Sequence, residues 1–184
     1  MKSKLDKNIR QIALLRGINV SGKNKIKMED LRKLFENIGF KNVSTYIQTG
    51  NVIFESSDDI QVNQKVIKKN IKNFFELDVE VIVFYENKLK KVLENNLFLN
   101  EKYDLKALYY CFLSTTPATN IIKELLVKAT LNEEIHLVND VLYLYYPNGM
   151  GKSKITNILI ESKLKSYSTI RNHNTVVKLN DLIK

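Results

Sequence analysis

The residues best suited to chemistry lie in a basic, glycine-containing stretch at residues 16–27. Its cations surround a backbone that Gly17 and Gly22 leave accessible. Cations and exposed N–H groups that lead into a helix are what an anion such as phosphate requires. The alternative is a basic loop that is simply solvated. The residues predicted to bind an anionic ligand here are Arg16, Asn19, Lys23, Asn24 and Lys25.

A second candidate site lies at residues 146–154, between a predicted strand and a predicted helix. Its Gly-Lys-Ser sequence resembles the end of a phosphate-binding P-loop, but that motif needs another glycine five positions before Gly151. This chain has Tyr146 there, so we reject a nucleotide P-loop. A simpler anion site at a helix start remains, and a flexible turn with solvated lysines is the alternative. Its predicted binding residues are Lys152, Ser153 and Lys154.

The third polar cluster is Arg-Asn-His-Asn-Thr at residues 171–175. Arg171 could bind a phosphate or carboxylate through two parallel hydrogen bonds, or it could hold two subdomains together. Asn172 is a further predicted ligand-binding residue, although an asparagine here could also cap the last helix.

Residues for catalysis are few. The two histidines, His136 and His173, show no metal-ligand spacing with carboxylates or with Cys111. Cys111 lies in the apolar sequence YYCFL, which predicts a buried and inert thiol. The catalytic residues, if the protein has any, are therefore unknown, and we predict no metal site and no cofactor. Whether the protein is an enzyme stays open, and the sequence favours a protein without catalytic activity.

The net charge of +9 is concentrated at the two ends of the chain. Residues 1–33 have a net charge of +7 and residues 150–184 have +5, whereas residues 34–149 have −3. If the two ends meet in the fold, they form one basic face. Such a face attracts phosphates and acidic surfaces.

Length and composition predict a cytoplasmic protein. No apolar run among the 184 residues approaches the roughly 18 residues that cross a bilayer. The basic N-terminus is not followed by the apolar run of a secretion signal. A single cysteine excludes an intramolecular disulfide and is typical of a reducing compartment.

The first half of the chain predicts an antiparallel, ferredoxin-like βαββαβ arrangement. Apolar residues recur at helical spacing in its helices and alternate in its last strand. The predicted elements are a strand at 9–15, a helix at 28–38, strands at 43–48 and 51–55, a helix at 60–75 and a strand at 77–85. We place the first subdomain at residues 1–86.

The second half, residues 87–184, predicts a βαββα arrangement with an extra C-terminal helix and no clear closing strand. The whole chain therefore belongs to the α+β class. The predicted elements are a connecting helix at 86–98, a strand at 107–113, a helix at 116–129, strands at 133–137 and 141–146, and helices at 153–164 and 174–183.

Two pairs of motifs carry a resemblance to a known family. They are ALLRGINV-x-GKNKIKM with TYIQTGNVIFES, and GMGKSKIT with RNHNTVVKL. With these motifs the chain resembles the domain-of-unknown-function 1697 family of uncharacterised bacterial proteins. The resemblance implies two α+β subdomains, the first ferredoxin-like, and it transfers no catalytic residue. Members usually carry tryptophan where this chain has His173, which implies either weaker stacking on a ligand or a tolerated packing change.

Charge and motifs together predict a protein that binds a phosphate-bearing ligand or nucleic acid through a basic face. One alternative is an enzyme that acts on a small anionic substrate in a cleft between the subdomains. Another is an interaction module for an acidic protein partner. Neither a membrane partner nor a particular oligomeric state is predicted. The enzyme alternative requires an electrostatic clamp of Arg16, Lys23, Lys154 and Arg171.

Overall fold

Two four-stranded antiparallel sheets organise the chain. The structure is a computed structural model that describes residues 8–20, 22–118 and 120–184. The chain divides into two compact units on either side of the peptide bond between Lys88 and Leu89. Each unit contains one of the sheets, and the predicted α+β class is confirmed.

The first unit has the predicted ferredoxin-like βαββαβ order. Its strands lie in the order β2-β3-β1-β4, and all neighbouring pairs are antiparallel. The elements are β1 (Ile9–Leu15), α1 (Met28–Ile38), β2 (Lys41–Tyr46), β3 (Asn51–Ser56), α2 (Ile60–Phe75) and β4 (Val81–Tyr85). Both helices begin and end where the apolar spacing predicts.

Alternate residues of the first sheet form a core with α1 and α2. Three phenylalanines, Phe35, Phe40 and Phe54, meet there with ring centroids 4.5–5.7 Å apart. The apolar residues of the opposite face are buried as well, among them Leu14 and Phe84. The central strands therefore present no open sheet face.

The second unit has the same strand order as the first, β6-β7-β5-β8, around β5 and β7 in the centre. A helix α3 (Asn87–Glu94) precedes this sheet and spans the boundary between the units. The elements that follow are β5 (Leu108–Leu113), α4 (Ile121–Leu126), β6 (Glu134–Val138), β7 (Val141–Tyr145), α5 (Asn157–Leu164), β8 (Ser168–Asn172) and α6 (His173–Leu182).

The closing strand β8 corrects the prediction that the second half lacks one. Its sequence, Ser-Thr-Ile-Arg-Asn, has one apolar residue, so no hydrophobic alternation marks it as a strand. Ser168, Thr169 and Arg171 are nevertheless buried. Strand pairing with β5 and side-chain hydrogen bonds satisfy these polar groups, a tertiary effect that a hydrophobic pattern does not reveal.

Two helix starts in the second unit also differ from the prediction. The helix predicted at 153–164 begins at Asn157, where the Thr156 side chain accepts a hydrogen bond from Leu159 N at 3.2 Å. The helix predicted at 116–129 is shorter, since α4 spans Ile121–Leu126 and residues 116–118 are irregular. The Thr-Pro signal therefore does not begin a helix here, and Thr119 lies outside the described residues.

In the described part of the chain, no helix has both the length and the apolar composition needed to cross a membrane. Part of the charge of +7 at residues 1–33 lies outside the described residues, since three of its lysines are in residues 1–7.

Candidate anion-binding cleft

A cleft of about 620 Å³ lies in the first unit, beside the start of α1. Three chain segments form it: the connection between β1 and α1 together with the first turn of α1, the turn between β2 and β3, and the end of α2. Its lining therefore combines residues that are far apart in sequence. The side chains that matter most for a ligand are those of Lys25, Lys27, Asp30, Gln48 and Phe75.

Asn19 fixes the shape of the loop that lines the cleft. Its Nδ2 donates to the carbonyl oxygens of Ile26 and Gln48, both at 2.9 Å, and its Oδ1 accepts from Ile26 N at 2.9 Å. The amide therefore joins the loop to the β2–β3 turn. Asn19 was predicted as a ligand-binding residue; it lines the cleft, but its polar atoms are used to hold the loop.

Asn24 closes the same loop from the other side. Its Nδ2 donates to the Gly17 carbonyl at 3.1 Å, and its own carbonyl accepts from Asn19 N at 3.1 Å. Asn19 and Asn24 both adopt left-handed backbone conformations, with φ of 54° and 48°. Asparagine tolerates this region better than most residues, which explains why two asparagines stand at these turns.

The predicted cations of this loop divide into two groups. Lys25 lines the cleft, whereas Lys23 is exposed and does not line it. Arg16 is half-buried at the end of β1, where its backbone N donates to the Glu80 carbonyl at 2.8 Å. A further lysine, Lys27, was not among the predicted binding residues and does line the cleft.

The charge in the cleft is mixed. Lys25 and Lys27 are exposed and form no ion pair with any residue that the structure describes. The backbone N–H groups at the start of α1 add partial positive charge, and the side chain of the N-cap residue, Lys27, accepts no hydrogen bond from them. Asp30 contributes the negative charge.

The neighbouring carboxylate, Glu29, is already paired. It accepts from Lys33 Nζ at 2.7 Å, and this hydrogen bond lowers the pKa of Glu29. Glu29 therefore adds little net charge near the cleft.

The second predicted site, residues 152–154, is a turn and not a helix start. Met150–Lys152 is a single 3₁₀ turn, and α5 begins only at Asn157. Ser153 is buried, and its Oγ accepts from Ile155 N at 3.0 Å. Lys152 and Lys154 are exposed. The helix-start N–H groups on which this prediction depended therefore lie beyond these lysines.

Arg171 and Asn172 occupy the end of β8 and have structural partners. Arg171 is only 6% exposed, and its Nη1 donates to Thr169 Oγ1 at 2.7 Å and to the Ile170 carbonyl at 2.9 Å. Burial lowers the pKa of Arg171 to about 10. Asn172 caps α6, since its Oδ1 accepts from Thr175 N at 2.9 Å. Binding of an external anion by these two residues stays a prediction.

The strand order places the last residues of β7, which lead into the turn at Met150–Lys152, at the same end of the second sheet as the last residues of β8. Strands β7 and β8 flank β5 and run antiparallel to it, so their last residues meet the first residues of β5. Their ends are thus about 10 Å apart, two strand spacings. The clamp of Arg16, Lys23, Lys154 and Arg171 stays a prediction, because its members belong to different units.

The cysteine and the two histidines belong to the second unit. Cys111 is buried as predicted, and burial raises the pKa of its thiol to about 12. His173 is buried and shares a hydrogen bond of 2.8 Å with the Tyr110 hydroxyl. His136 packs with its ring centroid 4.8 Å from that of Phe98. No group of three or more metal-ligating side chains occurs among the described residues.

Six lining residues lie outside the predicted binding set: Gly22, Ile26, Lys27, Asp30, Gln48 and Phe75. The first three belong to the basic stretch at residues 16–27, and Asp30 follows it in the first turn of α1. Gln48 and Phe75 come from other segments, so no local pattern connects them to the loop. One signal existed for Phe75: it is the second of two adjacent phenylalanines at a helix end, where one side of the helix faces the core.

The fold and the cleft define an α+β protein with two similar antiparallel sheets and a cleft of small-molecule size in the first unit. Residues 9–143 match the family described as "Protein of unknown function (DUF1697)". The chain therefore belongs to the DUF1697 family, as its motifs predict. The matched residues include the cleft and end before residues 149–156 and 171–179, which carry the second pair of motifs.

The chain is also similar in structure to the conserved bacterial protein SP0830 from Streptococcus pneumoniae. The two chains have 23% sequence identity and a TM-score of 0.75, over 96% of this chain and 99% of that chain. A similarity at this level of identity shows the fold alone. No curated protein matches the chain.

Proposed function

We propose that this protein binds a phosphate-bearing ligand in the cleft of its first unit. One observation supports the proposal above others: Lys25 and Lys27 line a single cleft of about 620 Å³ at the uncapped start of α1. Lysine ammonium groups and helix N–H groups both favour a phosphate, because each donates hydrogen bonds and carries positive charge.

The mode of binding differs from that of RNA-recognition sheets. Those sheets stack bases on exposed aromatic residues of their central strands. Here Phe54, on a central strand, is fully buried, and the residues of the opposite face are buried too. A nucleic-acid ligand would therefore bind through the loop and the cleft, by phosphate contacts and a small number of bases.

The test is a binding titration at two salt concentrations. Fluorescence anisotropy would follow a labelled single-stranded DNA of ten nucleotides, and calorimetry would follow mononucleotides and inorganic phosphate. Two lysine–phosphate contacts predict that affinity for the single strand falls roughly sevenfold between 50 and 200 mM salt. The double variant Lys25→Gln/Lys27→Gln should lose most of the binding and most of the salt dependence.

The matched control is Lys65→Gln/Lys69→Gln, which removes the same charge from exposed positions of α2 that do not line the cleft. It should bind almost as tightly as the natural chain. Equal losses in both double variants would mean that overall charge, and not the cleft, attracts the ligand. If no phosphate-bearing probe binds with salt-sensitive affinity, the proposed function is wrong.

A further inference from the structure

We propose that the ligand is a nucleoside phosphate, whose phosphate contacts Lys25 and Lys27 and whose base stacks on Phe75. This inference rests on the proposed function, because it names the ligand class for the same cleft. The support comes from three other lining residues, Phe75, Asp30 and Gln48, which a site for phosphate alone would not need.

Phe75 provides an aromatic surface at a fixed position. It is the last residue of α2, and Glu76 ends the helix directly after it with a left-handed φ of 58°. The ring packs against the core of the first unit and against the ring of Phe74, with centroids 4.9 Å apart. It is half-buried and lines the cleft. Any of the nucleobases can stack on an aromatic ring that is held in this way.

Asp30 and Gln48 give the cleft a part that is rich in hydrogen-bond acceptors. A carboxylate accepts hydrogen bonds from hydroxyl and amino groups, and a side-chain amide both donates and accepts. Asp30 would repel a bare phosphate or a chain of phosphates that filled the cleft. A ligand with one anionic end and one neutral end that carries hydroxyl and amino groups avoids this repulsion. A nucleoside phosphate has both ends.

The size of the cleft agrees with such a ligand. Small-molecule sites have volumes of about 300–1,000 Å³. At about 620 Å³, the cleft exceeds what an inorganic phosphate needs and has room for a sugar and a base as well. The same chemistry could come from a free mononucleotide or from one residue of a single-stranded nucleic acid.

The absence of tryptophan from the sequence allows a direct test. The substitution Phe75→Trp creates a single tryptophan in the cleft, which is excited selectively at wavelengths that the tyrosines do not absorb. Adenosine 5′-monophosphate should quench this fluorescence by stacking. Ribose 5-phosphate should compete for the site without quenching, since it has no base. The matched control is Phe74→Trp, because Phe74 is 63% exposed and does not line the cleft; its fluorescence should not respond.

A second measurement uses the natural aromatic residue. Phe75→Leu keeps an apolar side chain and removes the stacking surface, so it should weaken adenosine 5′-monophosphate at least about fivefold. Binding of ribose 5-phosphate should not change, and Phe74→Leu should leave both affinities intact. A thermal unfolding curve for each variant checks that the fold is retained. An octamer of deoxythymidylate in the same assays distinguishes a single-stranded nucleic acid from a free nucleotide as the ligand. Tighter binding of the octamer or of adenosine 5′-monophosphate supports a nucleoside phosphate and shows which of the two sources the cleft prefers.

The outcomes separate this inference from the proposed function. If ribose 5-phosphate binds as tightly as the nucleotide and Phe75→Trp is not quenched, the base makes no contact. The nucleoside assignment is then wrong, while a phosphate site remains. If neither compound binds, and inorganic phosphate and the octamer also fail to bind, both the proposed function and this inference are wrong.

Discussion

The two units have one strand order and differ in the connection between their first strand and first helix. In the first unit, residues 16–27 carry four cations and line a cleft. In the second unit the equivalent connection, residues 114–120, contains no lysine or arginine. Because the sheet topology is the same, the fold alone does not create the candidate site. The loop that the fold supports creates it, as is usual for binding sites.

The cores of the two units differ as well. The first unit buries neutral amide and hydroxyl side chains, those of Gln11, Asn51, Ser56 and Asn63, and they are hydrogen-bonded. The second unit buries the side chains of Tyr110, Tyr143, Tyr146 and His173, and their polar atoms are hydrogen-bonded. Because the second unit buries a histidine, we expect its stability to depend on pH near neutrality. In the first unit we expect the largest loss from a change of backbone shape and packing at Gly50.

The largest expected effect is that of Gly50→Ala in the first unit. Gly50 has a φ of +76°, and an added Cβ would lie 2.7 Å from Leu15 Cβ and 2.8 Å from Ile18 Cδ1. Backbone strain and overpacking together should lower the free energy of unfolding by about 2–5 kcal/mol. Urea unfolding measures the loss, and hydrogen exchange of separate peptides assigns it to the first unit.

Gly17→Ala is the control for the backbone part of this effect. Gly17 has a similar φ of +64°, but an added Cβ would meet nothing within 4 Å. It should cost only the strain, about 1–2 kcal/mol. If the two variants were equally unstable, the close approach of Gly50 to the end of β1 would have no energetic role.

The next largest effect is expected in the second unit, from Tyr110→Phe. The Tyr110 hydroxyl lies between Asn96 Nδ2 at 2.7 Å and His173 Nδ1 at 2.8 Å, and all three side chains are buried. Removing the hydroxyl leaves two buried polar groups without their partner, which should cost about 2–3 kcal/mol. Tyr143→Phe removes one hydrogen bond of 3.0 Å, to the Val92 carbonyl, and should cost about 1 kcal/mol in the same denaturation experiment.

A smaller effect on stability, with a larger effect on binding, is expected for Asn19→Gly. Glycine accepts the left-handed backbone of this position, so the substitution removes only the three side-chain hydrogen bonds. The first unit should lose about 2 kcal/mol, and nucleotide binding in the cleft should weaken as the loop loosens. Asn24→Gly removes a single side-chain bond and should do less on both measures. Unchanged binding in Asn19→Gly would show that the loop shape does not matter to the ligand.

Much of this fold was predictable because its signals are local. Helices α1 and α2 follow from apolar spacing, and the β2–β3 and β6–β7 hairpins follow from alternation around turn residues. Strand β8 was not predictable in this way, since its buried residues are mostly polar. Their burial is favourable only after α5 and β5 supply hydrogen-bond partners, and no hydrophobic pattern records that.

The candidate site was predictable only in part, for the same physical reason. The basic loop is contiguous in sequence, so Lys25 and its neighbours stood out. Whether a cation lines a cleft or points to solvent depends on distant segments, such as the one that ends at Phe75. Asn19 was selected from the sequence, but its role could not be predicted. Its residue type is equally suited to ligand binding and to holding a loop, and only the hydrogen bonds distinguish the two roles.

The smallest expected effect concerns pH, and it depends on the protonation state of His173. The Asn96 amide is oriented by its Oδ1, which accepts from Phe98 N at 2.9 Å, so its Nδ2 must donate to the Tyr110 hydroxyl. The hydroxyl proton is then available for His173 Nδ1, which accepts it when that nitrogen is unprotonated. We expect this arrangement, with a neutral His173, in the folded chain. Burial accordingly lowers the pKa of His173 below its ordinary value.

This lowered pKa gives the second unit a defined dependence on pH. The unfolded chain takes up a proton at His173 near its usual pKa of about 6.5, before the folded chain does. The stabilising contribution is therefore fully present above about pH 6.5 and is lost as the pH falls through the lower pKa of the folded state. His173→Gln should remove this slope from urea unfolding curves measured between about pH 5.5 and 7.5, a range above most carboxylate titrations. His136→Gln, which changes the other histidine, should retain the slope. A slope that persists in His173→Gln and disappears in His136→Gln would mean that the titrating group is His136, which lies outside the network of Asn96, Tyr110 and His173. The expectation that the buried His173 makes the second unit sensitive to pH would then be wrong.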